Sequence, residues 1–138
     1  MRPMLTSLAL ISILSSGAAL GHHSYVMFDM SHRQTVSGTL AKVDWSNPHV
    51  SIWVYAHKPN GAPGFDLYGF EAGGVNILSR LGWSPKTFSV GEKVIVDYCP
   101  LKDGRHGGAL IQVKHADGSH TQADSIGLSP VNRCGVQR

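Results

Sequence analysis

Apolar residues recur at every second position in five stretches of the chain and at helical spacing in one. Residues 35–43 open the series, with Val36, Gly38 and Leu40 on one parity and Val43 and Trp45 on the other. One inserted residue near Ala41-Lys42 accounts for the switch, because a bulge adds a residue, bends the strand and re-aims the side chains beyond it. Asn47-Pro48 interrupts the pattern, since proline donates no ladder hydrogen bond and restrains its predecessor. Residues 49–57 then alternate cleanly, Val50, Ile52 and Val54 against Ser51, Trp53 and Tyr55. Residues 58–64 are dense in proline and glycine and predict a hairpin loop, and residues 65–72 predict a third strand.

The period changes after Gly74. Val75, Leu78 and Leu81 fall on one helical stripe flanked by Ile77, and Gly82 is placed as a C-terminal stop, so the spacing predicts a short helix over residues 74–81. A fourth strand over 93–98 ends at Pro100, residues 102–108 form a polar connection, and a fifth strand covers 109–115. Beyond the Asp117-Gly118 turn the polar remainder to Arg138 carries no period and reads as irregular. Three strands, a short helix and two further strands, the first of them bent, is the order of a mainly β, five-stranded oligonucleotide/oligosaccharide-binding (OB) barrel. An open five-stranded sheet packed on one helix is the competing arrangement.

Residues 1–21 do not join this pattern. A positive start at Arg2, an apolar run from Leu5 to Leu14 and a small-residue exit to Gly21 read as a cleaved signal peptide, with a periplasmic or secreted product. The run is short for a span, and no later segment approaches the roughly 20 apolar residues a spanning helix needs. Cleavage after Gly21 leaves 138 − 21 = 117 residues, 22–138, the size of one domain. That portion keeps eleven Lys and Arg against nine Asp and Glu, well mixed, which argues against nucleic acid as a partner. In an oxidising compartment Cys99 and Cys134 are most simply a disulfide, with a thiol metal site as the rival.

Candidate chemistry concentrates between His22 and His49. The adjacent His22 and His23 come just after the signal segment, and His49 comes just after the Asn-Pro corner, so three imidazoles can converge on copper, or on zinc or nickel. Cleavage after Gly21 would add the terminal amine of His22 as a ligand, whereas cleavage after Ala19 would make His22 the third residue, a Cu(II)- or Ni(II)-chelating terminus; cleavage after Ala18 gives neither. The alternative is a terminus whose histidines bind nothing, and a His49 ring that serves only its turn. Asp29 and Glu71 are candidate ligands or orienting carboxylates, against a reading as turn-bonded or solvated acids. His106, His115 and His120 read as exposed loop histidines, or as a second, weak metal patch. Trp53 and Tyr55, with Trp45 nearby, offer a stacking face for a saccharide or a partner protein; the alternative expectation is that Tyr25 and Phe28 fold over that face and cover it.

His22-His23-Ser24-Tyr25 with Phe28-Asp29, then Trp45-Ser46-Asn47-Pro48-His49, Gly82-Trp83 and Gly91-Glu92-Lys93-Val94, resembles a family of small exported bacterial proteins catalogued as a domain of unknown function. The resemblance spans most of the mature chain and implies location and architecture without an activity, so it carries over no catalytic residue. No nucleophile motif, zinc-protease helix or phosphate-binding glycine loop is present either. The sequence therefore points to an exported binding protein without chemistry of its own, taking a copper-type metal or a small ligand. An accessory module is the alternative, and a copper-dependent redox enzyme stands third.

Overall fold

The computed structural model describes residues 25–123 and Cys134. Its strands are β1 (Gln34–Asp44), β2 (Ser51–His57), β3 (Phe65–Glu71), β4 (Lys93–Pro100), β5 (Gly107–His115) and β6 (His120–Gln122), with helix α1 (Val75–Arg80) between β3 and β4. The sheet runs β3-β2-β1-β4-β5-β6, and a parallel pairing of β3 with β5 closes the first five strands into a mixed barrel. The OB-like order read from the sequence is therefore the fold. The short β6 is an addition: the stretch expected to be irregular pairs antiparallel with residues 112–114 of β5, and the Trp83 indole N–H donates to the Gln122 carbonyl at 2.8 Å.

Alternation fills the barrel. Leu40 of β1, Ile52 and Val54 of β2, Phe70 of β3, Val94, Val96 and Tyr98 of β4, and Leu110 and Val113 of β5 are all buried together. Two bulges make this possible. Leu40 pairs with Val54 but Lys42 with Trp53, so Ala41 is the extra residue expected in β1. Asp97 pairs with Gln112 but Tyr98 with Leu110, so Ile111 is a second extra residue, and it lets Leu110 and Val113, of opposite parity, both point inward. Helix α1 is shorter than its stripe: Leu78 is fully buried, but Leu81 caps the helix and is half exposed.

A second apolar cluster lies outside the barrel. Phe28, Cys99, Ala109 and Cys134 are buried together, with Met30, Leu101 and Ile111 against them. Cys99 and Cys134 form a disulfide across 35 residues. Among the described residues no helix is long and apolar enough to cross a membrane.

On the outer face, Asp97 gathers the strands. It accepts hydrogen bonds from Thr35 (2.6 Å), Arg33 (2.5 Å) and Gln112 (2.6 Å). Burial pushes its carboxyl up, but the bonds from Thr35, Arg33 and Gln112 outweigh it and hold the group below 3.8. A carboxylate whose folded value is depressed stabilises the fold above its unfolded value and loses that contribution as pH falls through the folded one. Wild type should accordingly lose more urea resistance than Asp97→Asn between pH 6 and pH 2.5, both taken as round values in the window set by a carboxylate near 4. Equal losses would remove Asp97 from the acid response.

Candidate functional site

The corner between β1 and β2 is built to present His49. Trp45 leaves β1 and packs against the barrel core. Ser46 donates to the Asp44 carboxylate at 2.8 Å, and the Asn47-Pro48 peptide is cis. The Asn47 side-chain carbonyl accepts the backbone N–H of Val75 at 3.1 Å, seating the corner on the start of α1. That seat requires Gly74, because a Cβ there would lie 2.9 Å from the Pro48 carbonyl oxygen and 3.3 Å from Asn47 Oδ1. Beyond the corner, Val50 donates to Gly73 O (3.0 Å) and accepts from Ala72 N (2.8 Å), so the β2–β3 ladder runs right up to His49.

Glu71 is registered opposite Ser51 and points out of the barrel. His49 Nδ1 stands 3.0 Å from Glu71 Oε1, with both side chains partly exposed. A carboxylate at that distance is placed to orient the imidazole through Nδ1. The chain enters the barrel close by. Phe28 bridges to Leu101, Asp29 N–H donates to Pro100 O at 2.8 Å, and Met27 O accepts from Lys102 N at 3.0 Å. Phe28 packs in one cluster with Ala109, and Ala109 is the residue of β5 registered beside Glu71.

The model of DUF6152, a family of unknown function, matches residues 9–112. The chain belongs to that family. No curated protein and no solved structure matches it. The DUF6152 span runs through β4 and into β5; Cys134 and β6 lie beyond it.

The other candidate residues of this DUF6152 member are dispersed. His22 and His23 lie outside the described residues. Asp29 is turn-bonded: its carboxylate accepts from the Ser31 hydroxyl (2.5 Å) and amide (3.0 Å) and lies 2.7 Å from His32 Nδ1. The Ser31 hydroxyl first, then His32, lowers its carboxyl to about 2. Trp53 lies over the backbone at Gly69, where a Cβ would come within 3.2 Å of its Nε1, and Lys42 Nζ sits 4.6 Å from its ring centre. Tyr55 is 49% exposed. The expectation that Phe28 folds over Trp53 and Tyr55 is corrected: Phe28, 5% exposed, covers the disulfide on the β4–β5 side instead. Cys99, Cys134 and Ala109, with Met30, Leu101 and Ile111 around them, form the apolar seat it occupies.

His115 is likewise no exposed loop residue. Its side chain is 12% exposed at the end of β5. Nδ1 lies 3.2 Å from Glu92 Oε2, Nε2 lies 2.7 Å from Thr121 Oγ1, and Phe88 stacks on the ring. His106 stacks on Tyr68 and lies 3.6 Å from Asp66. Alternation through β5 reaches His115 and could have signalled its burial; nothing local in the sequence announces the Glu92 or Asp66 partners, which come from other strands or turns. Among the described residues no three His, Cys, Asp or Glu side chains are grouped to hold a metal ion.

Proposed function

We propose that this protein is exported and binds one copper-type transition metal ion, or a small ligand of similar chemistry, through His22, His23 and His49. The observation that carries the reading is the His49–Glu71 pair. A metal-bound histidine nearly always gives its other ring N–H to a carboxylate or carbonyl, which fixes the tautomer and raises the basicity of the ligating nitrogen. His49 has that partner 3.0 Å away, on a corner held by Asn47, Gly74 and the β2–β3 ladder. Reach supports the convergence. Neighbouring strands lie about 5 Å apart, so the Ala109 seat of Phe28 is close to Glu71. His23 precedes Phe28 by 28 − 23 = 5 residues, a tether of at most about 17 Å when extended. The Cys99–Cys134 disulfide fits an oxidising compartment.

Native mass spectrometry of the exported chain, titrated with Cu(II) against a competing chelator, tests this and reads the mature N-terminus in the same spectrum. Wild type should retain one copper. His49→Ala and Glu71→Gln should each weaken it by roughly tenfold or more, the range for loss of a ligand or its orienting partner, while Asp29→Asn should leave it unchanged. Retention unaffected by His49→Ala would remove His49 from the site, and no retention at all would end the metal reading.

A second reading is favoured by the exposure of Tyr55. Phe28 packs elsewhere, and Tyr55 on the outer face of β2 is 49% exposed, within reach of a saccharide ring or a partner protein.

A further inference from the structure

The barrel closes through three registered pairs of β3 and β5, Gly69 with Gly107, Phe70 with Gly108 and Glu71 with Ala109. Before that seam, residues 65–68 of β3 pair with β2 on one side and, among the described residues, with no strand on the other. In the parallel register the residues opposite 65–68 are 103–106, the connection leading into β5, and they form no ladder with β3. Gly69 N–H points to the β5 side, donating to His106 O at 3.2 Å, whereas Ala72 N–H points to the β2 side, donating to Val50 O. Backbone groups alternate along a strand, so the N–H and C=O of Phe65 and Leu67 face the open side.

Side chains on this segment match an edge meant to be covered. Phe65 is 58% and Leu67 47% exposed, and half-exposed Tyr55 is registered directly opposite Leu67. The segment carries no lysine, proline or bulge to guard it; its one charge, Asp66, has the inward parity of Phe70 and lies 3.6 Å from His106. His106, stacked on Tyr68, walls the end of the edge nearest the seam.

We propose that the open edge of β3 takes up an extended segment of a partner protein by strand addition, with apolar side chains at alternate positions resting on Phe65, Leu67 and Tyr55. Backbone bonds supply affinity in that mode and alternate side chains supply selection. A second folded copy is a poorer occupant: three half-exposed side chains leave roughly 300 Å², well short of the about 800 Å² per partner of a standard stable interface. The inference gives the second reading above a definite mode, yet it is separable from it, since ring stacking needs no backbone bonds.

The test uses the full mature chain, amide-resolved NMR and a capped peptide of three Val-Thr repeats between two lysines, with an N-methylated version as control. The plain peptide should slow exchange of the Phe65 and Leu67 amides about tenfold at saturation, in keeping with a new ladder of modest stability, and the N-methylated one should not. Leu67→Lys, which leaves the backbone intact, should weaken the plain peptide about tenfold by guarding the edge. Equal protection by both peptides, or none by either, would overturn strand addition. Shifts at Tyr55 without protection at Leu67 would overturn it too while leaving ring contact standing, and Leu67 protection that grows with protein concentration alone would assign the edge to a second copy.

Discussion

Alanine at Gly107 should open the barrel. Gly107 has φ +131°, a conformation closed to residues with a Cβ, and an added Cβ would lie 1.9 Å from the Gly69 carbonyl oxygen. The obstacle is backbone, in the strand that must pair there, so no side chain can swing aside. Either β5 withdraws from β3 and the seam is lost, or both strands distort. A penalty above about 3 kcal/mol is expected, in the class of strained backbone plus a broken ladder. The urea midpoint should fall accordingly, and the Gly69 amide should lose protection. Gly118→Ala is the matched control: its φ is +85° but nothing lies within 4 Å of the added Cβ, so only the left-handed backbone cost of about 1 to 2 kcal/mol applies. Equal effects of the two substitutions would mean that the seam carries no special weight. Because Glu71 is the last registered residue of that seam, Gly107→Ala should also impair the copper retention proposed for His49.

Removing the disulfide should have the next largest effect. Cys99 and Cys134 close a 35-residue separation, for which loop-closure reasoning gives about 3 to 4 kcal/mol. The paired replacement Cys99→Ala with Cys134→Ala should lower stability by that amount and raise the denaturant slope, because the uncrosslinked unfolded chain exposes more surface. Phe28 should register the loss locally. Its seat is made of Cys99, Cys134 and Ala109, so the Asp29 amide, bonded to Pro100 O, should exchange faster than amides at the centre of β4. A variant with unchanged midpoint and an unchanged Asp29 amide would show that the cluster stands without its crosslink.

The barrel was legible because its signal is local. Val50, Ile52 and Val54 alternate, Leu78 sits mid-stripe, Ala41 marks a parity switch, and each is a property of a few consecutive residues. The second bulge left the same kind of trace, since Leu110 and Val113 differ in parity and both are buried; the consecutive Ala109, Leu110 and Ile111 hid it, because any parity suits an apolar run. The polar ladder of β6 had no apolar alternation to betray it and depends on Trp83 and β5. The site was legible only in part. His49 and Glu71 could each be singled out by residue type, but their meeting depends on the β2–β3 register, which is fixed by the loop of residues 58–64 and by the core-facing side chains. The place of Phe28 was not legible, because it is set by a disulfide partner 134 − 28 = 106 residues away.

Phe28 gives the crosslink a kinetic character. Cys99 and Cys134 are nearly inaccessible beneath it, at 2% and 1% exposure. Thiol–disulfide exchange needs a thiolate in line with a sulfur atom, so an external reductant must wait until the cluster of Phe28, Ala109 and their neighbours opens. Its rate would then measure that local opening rather than the intrinsic reactivity of the bond.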